Sequence, residues 1–245
     1  MRFLSETAGE GVVERRFDLE RSGRLIPGLL WTPVRAHGPR PLVLIAHGAG
    51  SSKAEGYVVA LARRLVRHHG FAAAAIDGPV HGDRRADGGA NGALAFLEFS
   101  QLWAGEPTMT DEMVADWQLT IDHLHALEEV GAGPTGWWGL SMGTILGLPV
   151  VAADRRIEVA VLGLMGLTGP TRERIAKDAP AVSCPVLFLV QRGDELFPLD
   201  TSLELFDALG SADKRLHLNL GHHGDVPLEE FDASEAFLAR HLAPA

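Results

Sequence analysis

The sequence predicts an α/β protein with a mostly parallel sheet and helices on both faces. Strand-like and helix-like segments alternate from about residue 41 to the end of the chain, which is the order expected of such a sheet. Several strand-like segments, such as "PLVLIA" and "FAAAAI", are continuous apolar runs, as strands buried on both faces are. The 245 residues, 46% of them hydrophobic, suit one large domain, and we expect residues 1–245 to form it.

Eight strands follow from the apolar patterning and the turn residues between the runs. The first two form a hairpin around "ERSG", and the other six alternate with helices. In chain order the predicted strands are "VVERRFDL", "RLIPGLLWTP", "PLVLIAHGAG", "FAAAAIDGP", "TGWWGL", "IEVAVLGLMG", "CPVLFLVQRGD" and "KRLHLNLGHHG".

Helical spacing of apolar residues predicts the intervening helices. Tyr57, Leu61 and Leu65 share one face of the first helix, and Gly70 is a suitable residue to end it. Residues 79–108 show no clear period and are expected to be irregular. The remaining predicted helices are "DEMVADWQLTIDHLHALEEVG", "MGTILGLPVVAA", "TRERIAKDA", "LDTSLELFDALG" and "PLEEFDASEAFLARHL".

Composition argues against several classes of partner. The net charge of −10 disfavours nucleic acid and anionic membrane surfaces. The single cysteine, Cys184, excludes an internal disulfide. No run reaches 18 apolar residues and the N-terminus has no apolar leader, so a cytoplasmic protein without a membrane partner is expected.

The stretch "TGWWGLSMGT" has the pattern of a sharp turn from a strand into a helix. Gly139 and Gly143 flank Ser141, and residues without Cβ allow neighbouring elements to approach closely. A residue at such an apex is strained by about 1–3 kcal/mol, and strain of this kind persists mainly at functional sites. The G-x-S-x-G pattern predicts a nucleophilic serine, although glycine and serine are common enough for a chance match.

Reactive side chains follow three different strands of the predicted sheet. Ser141 follows the fifth strand, Asp194 the seventh, and His222 and His223 the eighth. In open α/β sheets, ligands bind beyond the carboxyl ends of the strands, so these residues are expected to meet there. Serine, acid and histidine therefore occur in the chain order of one known arrangement.

These segments together resemble the α/β-hydrolase superfamily. The similar motifs are "HGAG", "GLSMG", "GDELFP" and "GHHGDVP", spread over roughly residues 12–242. The short core without a large cap domain is most similar to the dienelactone-hydrolase-like and peptidase-like carboxylesterase branches. Dienelactone hydrolases usually carry a cysteine nucleophile, whereas this chain has Ser141, which argues against their substrate.

The resemblance implies a role for each residue. Ser141 would be the nucleophile, a histidine of the 222–223 pair the base, and Asp194 the acid that orients the base. Glu195 is the local alternative to Asp194. We favour His223 over His222, because only one of two adjacent side chains can point between serine and acid and His223 lies nearer the last helix.

The oxyanion of the reaction would need fixed N–H donors. The backbone N–H of Met142 is one candidate, and Ala49 of the "HGAG" loop is the second, with Gly48 as its alternative. His47 and His81 are interpreted as structural, and Asp77 as a carboxylate that caps a loop.

A substrate pocket is predicted from the aromatic residues of the irregular stretch. Phe96, Phe99 and Trp103 are candidates for its wall, together with Met165, although packing of a long loop on the core would also explain them. The interval "LTGPTRERIAKDAPAVSC" leaves room for one short helix and no cap domain.

The predicted function is hydrolysis of a carboxylic ester or related acyl bond of a small molecule through an acyl-enzyme on Ser141. An acyltransferase, a cofactor-free perhydrolase and a non-catalytic binding protein of the same fold are the alternatives. No cofactor is expected. The paired histidines are a weak metal signal without cysteines or a matched third ligand, so no metal is expected either.

Overall fold

One sheet of nine strands crosses the computed structural model, which describes residues 1–36, 38–85 and 92–243. The order of the strands is β1-β2-β3-β5-β4-β6-β7-β8-β9. The pairs β1/β2, β2/β3 and β3/β5 are antiparallel, and the other pairs are parallel, so the predicted mostly parallel sheet is confirmed. The strands are β1 (Arg2–Gly9), β2 (Val12–Arg21), β3 (Arg24–Pro33), β4 (Leu42–Ala46), β5 (Ala72–Ile76), β6 (Thr135–Gly139), β7 (Ile157–Gly163), β8 (Val186–Gln191) and β9 (Lys214–Asn219).

The prediction of eight strands was wrong, because the sheet has a ninth strand, β1, whose residues show no alternation of buried and exposed positions. β1 pairs antiparallel with β2 from Arg2 opposite Asp18 to Gly9 opposite Val12. All eight of its residues are exposed, so neither face selects apolar side chains. Apolar and polar residues alternate along a strand when one of its faces is buried. An edge strand that has no buried face, and is held by backbone hydrogen bonds, lacks this pattern and is not detected.

Eight α-helices connect or follow these strands within the described residues. α1 ends as predicted: Gly70 has φ of 68°, and its N–H reaches the carbonyls of Leu65 and Val66. The helices are α1 (Gly56–His69), α2 (Ala93–Gly105), α3 (Met109–His125), α4 (Met142–Ile145), α5 (Gly147–Ala153), α6 (Arg172–Asp178), α7 (Leu199–Ala208) and α8 (Leu228–Leu242).

The expectation of an irregular stretch over 79–108 was wrong for its second half, which forms α2. Phe99 of α2 is buried, but Leu94, Phe96 and Leu97 are exposed, so apolar residues lie all round the helix. A helix of this kind has no amphipathic period for the sequence to reveal. Part of the stretch, residues 86–91, lies outside the described residues.

The predicted helix "MGTILGLPVVAA" is divided into α4 and α5. The break falls after Ile145, four residues before Pro149. Proline has no N–H to donate to the carbonyl four residues earlier, and its ring clashes with that carbonyl. The long helix is therefore interrupted where an intact one would need that hydrogen bond.

The apolar core lies on both faces of the sheet, as predicted. Alternate residues of β4 divide between the faces: Leu42 and Leu44 pack on the side of α3 and α5, and Val43 and Ile45 on the side of α1 and α8. Burial of both faces explains why the central strands are continuous apolar runs.

The carboxyl ends of β4, β6, β8 and β9 lead into the loops that carry the motifs identified above. Between β7 and β8 there are α6 and one 3-10 turn (Ala179–Ala181), and these described residues form no cap domain. No helix of the described residues combines the length and apolar character that crossing a bilayer requires.

Candidate active site

The turn from β6 into α4 holds Ser141 in a strained conformation. Its φ of 58° and ψ of −119° lie outside the regions that side-chain-bearing residues prefer. A Cβ on Gly139 would lie 2.6 Å from the carbonyl oxygen of Gly143, and one on Gly143 would lie 2.7 Å from that of Ala46. Both glycines of the motif are therefore required by close backbone approach. The corner costs about 1–3 kcal/mol and points the hydroxyl of Ser141 away from strand and helix.

A chain of hydrogen bonds joins the serine, a histidine and an aspartate. Ser141 Oγ lies 2.8 Å from His223 Nε2, and His223 Nδ1 lies 2.8 Å from Asp194 Oδ2. In the neutral tautomer that fits this geometry, Nδ1–H donates to the carboxylate and Nε2 accepts from the serine hydroxyl. The structure thus brings together three residues from the ends of three strands, as the sequence predicted.

The carboxylate of Asp194 is buried but well supplied with donors. Its side chain is 3% exposed, and its Oδ1 accepts the N–H groups of Leu196 and Phe197 at 2.8 and 2.9 Å. Burial opposes ionisation, but the hydrogen bonds from His223, Phe197 and Leu196 outweigh it and lower the pKa of Asp194. The group is therefore ionised at neutral pH and can hold the histidine ring.

The neighbouring candidates point elsewhere. His222 is 77% exposed, and its Nδ1 lies 3.1 Å from the carbonyl oxygen of Gly193. The carboxylate of Glu195 accepts the backbone N–H of His223 at 3.0 Å and does not contact its ring. Of the two histidines, only His223 lies between Ser141 and an acid, and its role stays a prediction.

The "HGAG" loop is held so that one of its N–H groups is left open. The N–H of Gly48 donates to Tyr57 Oη and that of Gly50 to His81 Nε2, each at 2.8 Å. Within 1–36, 38–85 and 92–243, the N–H groups of Ala49 and Met142 have no hydrogen-bond acceptor. This pattern favours Ala49 over Gly48 as the second oxyanion donor.

Two buried histidines fix this loop in their neutral forms. His47 Nε2 accepts the N–H of Gly78 at 2.9 Å, and its Nδ1 donates to the carbonyl of Gly48 at 2.8 Å. Burial, followed by the nearby His81, lowers the pKa of His47 to about 4. Burial also lowers the pKa of His81. A neutral ring is needed at both positions, because a protonated nitrogen cannot accept a backbone N–H.

Asp77 also serves the loops around the site. Its carboxylate is fully buried, accepts the backbone N–H groups of Lys53 and Asp83 at 3.0 and 2.8 Å, and pairs with Lys53 Nζ at 2.5 Å. It therefore acts as the loop-capping carboxylate that its sequence position indicated. The sequence interpretation missed Lys53, because its neighbours "SSK" carry no distinctive pattern.

Two cavities meet at Ser141. The first, of about 430 Å³, is lined by Phe96, Phe99 and Trp103, as predicted for the pocket wall. The second, of about 280 Å³, is lined by residues that include Tyr57, Trp138, His223 and Phe231. Ala49 and Phe96 border both cavities.

The prediction for Met165 was wrong. Its side chain is fully buried in the core and lines neither cavity, whereas the adjacent Leu164 lines the second one. Consecutive residues after a strand point to opposite sides, so only one of the two can face the site.

A row of neighbouring aromatic rings extends from α2 to His223. Phe99 and Trp103 are nearly parallel at 6.2 Å between centroids, Trp103 lies 6.4 Å from Phe197, and Phe197 lies 5.7 Å from His223. Phe197 follows Asp194 by three residues in "GDELFP", but it is not among the residues predicted for the site. Trp103 Nε1 donates to Thr171 Oγ1 at 2.9 Å and so fixes α2 beside α6.

No protein-family model matches the chain, and no curated protein sequence matches it, but solved structures do. The chain is similar to a PEG-bound cold-adapted esterase from an Arctic intertidal metagenomic library, with 42% identity and a TM-score of 0.89. That match covers 99% of this chain and 100% of the other. A native structure and a zinc-bound structure of a cold-adapted esterase from an Arctic intertidal metagenomic library are each 40% identical to this chain, with the same coverage and TM-scores of 0.84 and 0.83.

A more distant similarity supports the fold alone. An acetyl xylan esterase from Paenibacillus sp. R4 is 18% identical with a TM-score of 0.76, and the match covers 98% of this chain and 88% of the other. The whole architecture, from the antiparallel strands to the last helix, is therefore shared with these enzymes.

His47→Gln should remove part of the acid sensitivity of the fold. Because the pKa of His47 is about 4 when folded and about 6.5 when unfolded, the unfolded chain binds more protons between these values. The contribution of His47 to stability is complete above pH 6.5 and is lost as the pH falls towards 4, by about 3 kcal/mol at most. Urea unfolding of both proteins between about pH 8 and about pH 4 measures this difference.

The gap between the two proteins at the alkaline end gives the pH-independent effect of the substitution. A gap that stays constant across the whole range would contradict the assignment of a neutral, buried His47.

Proposed function

This chain belongs to the α/β-hydrolase superfamily, within its carboxylesterase branch, and we propose that it hydrolyses carboxylic esters of small molecules. The similarity to an esterase over the full length of both chains supports the reaction class. The observation that carries the mechanism is the unbroken hydrogen-bond chain from Ser141 through His223 to Asp194.

In the proposed first half-reaction, Ser141 Oγ attacks the ester carbonyl carbon while its proton passes to His223 Nε2. Asp194 stabilises the resulting imidazolium, since its lowered pKa keeps it negatively charged. The tetrahedral oxyanion accepts hydrogen bonds from the N–H groups of Ala49 and Met142. Donors of this kind are each worth about 2.7–4 kcal/mol of the barrier.

Collapse of this intermediate breaks the bond to the alcohol oxygen. His223 returns the proton to that oxygen, the alcohol leaves, and the acyl group remains on Ser141. In the second half-reaction, water loses a proton to His223 and attacks the acyl carbon. The bond between the acyl carbon and Ser141 Oγ then breaks, His223 returns its proton to Oγ, and the carboxylic acid is released from the regenerated enzyme.

The two cavities suggest where each part of the ester binds. The leaving oxygen must approach His223, which borders the smaller cavity. We therefore assign the alcohol part to the smaller cavity and the acyl part to the larger one, which Phe99 and Trp103 enclose. The apolar lining of both favours an uncharged, partly aromatic or aliphatic substrate.

We also propose that residues 1–245 act as one domain, since all nine strands join one sheet. The expected cytoplasmic location stays a prediction.

Ser141→Ala should lower kcat for p-nitrophenyl acetate by more than about 1,000-fold, because the triad acts as a unit. It should also abolish labelling by a fluorophosphonate. Ser100→Ala is the matched control: this serine lines the larger cavity, and its hydroxyl donates to the carbonyl of Phe96 rather than to a histidine. The proposal fails if the Ser141 variant, folded by circular dichroism, keeps more than a few per cent of the activity.

His223→Ala and His222→Ala should differ widely in kcat/KM. Loss of the general base costs about 100- to 10,000-fold. His222 contributes one exposed hydrogen bond to Gly193, and its loss should cost no more than about tenfold. Steady-state kinetics of both variants provide the comparison. If His222→Ala is inactive and His223→Ala is active, the loop must place His222 against Ser141 during catalysis.

Hydrolysis should be fastest with short-chain aryl esters. Its rate should not rise abruptly when the substrate concentration exceeds the solubility limit, because no cap domain covers the site among the described residues.

Trp103→Ala should shift the preferred acyl chain of p-nitrophenyl esters to greater length, because it removes the stacked wall of the larger cavity.

Phe231→Ala, which opens the smaller cavity, is the control and should leave acyl preference unchanged. If Phe231→Ala shifts the preferred acyl length and Trp103→Ala does not, the two cavities have the opposite roles.

A further inference from the structure

Two histidines at the end of α1 converge on one carboxylate of α8. His68 Nδ1 lies 2.7 Å and His69 Nε2 lies 2.9 Å from the same oxygen, Glu235 Oε1. The other oxygen, Oε2, accepts Arg64 Nε at 2.6 Å. Among the described residues, these two histidines and Glu235 are the one group of three possible metal-ligating side chains whose donor atoms lie within 4.8 Å of one another.

The surroundings of the cluster suit a bound cation. Glu235 is 7% exposed, and although burial opposes its ionisation, hydrogen bonds from His68, Arg64 and His69 lower its pKa, so it carries a negative charge. His68 is 55% exposed, which leaves one side of the cluster open to water. Arg64 holds the carboxylate from behind, so Oε1 stays directed at the two rings.

We propose that His68, His69 and Glu235 bind one Zn²⁺ ion, or a similar divalent transition metal, that links α1 to α8. Two imidazole nitrogens and one carboxylate oxygen form a ligand set that Zn²⁺ accepts, with water in the fourth position. Binding requires the ring proton of His68 to move from Nδ1 to Nε2, and that of His69 from Nε2 to Nδ1. Each freed nitrogen then donates its lone pair to the ion.

Small movements are enough to make room for the ion. Ligand atoms at about 2.0–2.2 Å from a tetrahedral zinc lie somewhat further apart than hydrogen-bonded atoms do. The nitrogen–oxygen distances of 2.7 and 2.9 Å therefore need to lengthen by about 0.5–0.7 Å. Rotation of the His68 and His69 side chains, which are 55% and 28% exposed, can provide this movement.

The site is distant from Ser141. Tyr57, at the start of α1, accepts the N–H of Gly48 in the "HGAG" loop, while His69 is the last residue of the helix. Twelve residues of helix span about 18 Å. The ion would therefore stabilise the packing of α1 on α8 without touching the reacting atoms.

The test measures zinc binding to the metal-free full chain by isothermal titration calorimetry. We expect one Zn²⁺ per chain, a higher melting temperature with Zn²⁺ present, and the absorption bands of low-coordinate Co²⁺ when cobalt is used instead. His68→Gln and His69→Gln keep a side-chain donor for Glu235 but should each weaken binding at least about tenfold. His123→Gln, on α3 and outside the cluster, should bind zinc as the unmodified protein does.

Ester hydrolysis and circular dichroism of both glutamine variants should match the unmodified protein, which excludes misfolding. The exposed His68 provides a variant with the least risk to the fold. Equal zinc affinity in the unmodified chain and in both variants, or no binding at all, would overturn the proposal. So would zinc binding that inhibits hydrolysis equally in all the proteins, because the ion would then be at His223.

Discussion

The site is organised around the strained backbone corner at Ser141. Its backbone N–H donates to the carbonyl of Gly163 at 3.0 Å, and the hydroxyl of Thr144 accepts the N–H of Gly163 at 2.8 Å. Thr144 Oγ1 also lies 2.8 Å from the carbonyl oxygen of Gly139 and can donate to it. These contacts fasten the corner to β6 and β7, so the strain cannot relax without breaking hydrogen bonds in the sheet. The same corner directs the Ser141 hydroxyl outwards and leaves the N–H of Met142 without an acceptor.

Three histidines near this corner differ in the groups that their ring nitrogens contact. His47 and His81 are enclosed, and each accepts a backbone N–H and contacts a carbonyl, so they serve only as neutral rings. His223 lies between a hydroxyl and an ionised carboxylate. A ring fixed by peptide groups supports the loop, and a ring fixed by a carboxylate can take part in proton transfer.

Helix α1 connects several of these features. Its first turn carries Tyr57, whose hydroxyl oxygen accepts the N–H of Gly48 and thereby leaves Ala49 as the open donor of the loop. Its last turn carries His68 and His69 beside Glu235 of α8. The two ends of this helix thus support the "HGAG" loop and the contact with α8.

The parallel sheet, the serine corner and the order of Ser141, Asp194 and the histidine pair could be predicted from the residues alone, because burial on both faces and close backbone approach restrict residue type directly. The residues alone did not reveal β1, which is exposed on both faces, or α2, which has apolar residues all round, because neither shows a hydrophobic period. The direction of Met165 was not predictable either, because this residue follows a strand and belongs to no periodic segment. The folded structure was needed to show that His223, and not His222, is the ring placed against Ser141. That choice depends on contacts with Asp194 and Glu195, which are distant in the chain and meet the loop only when β8 and β9 pair.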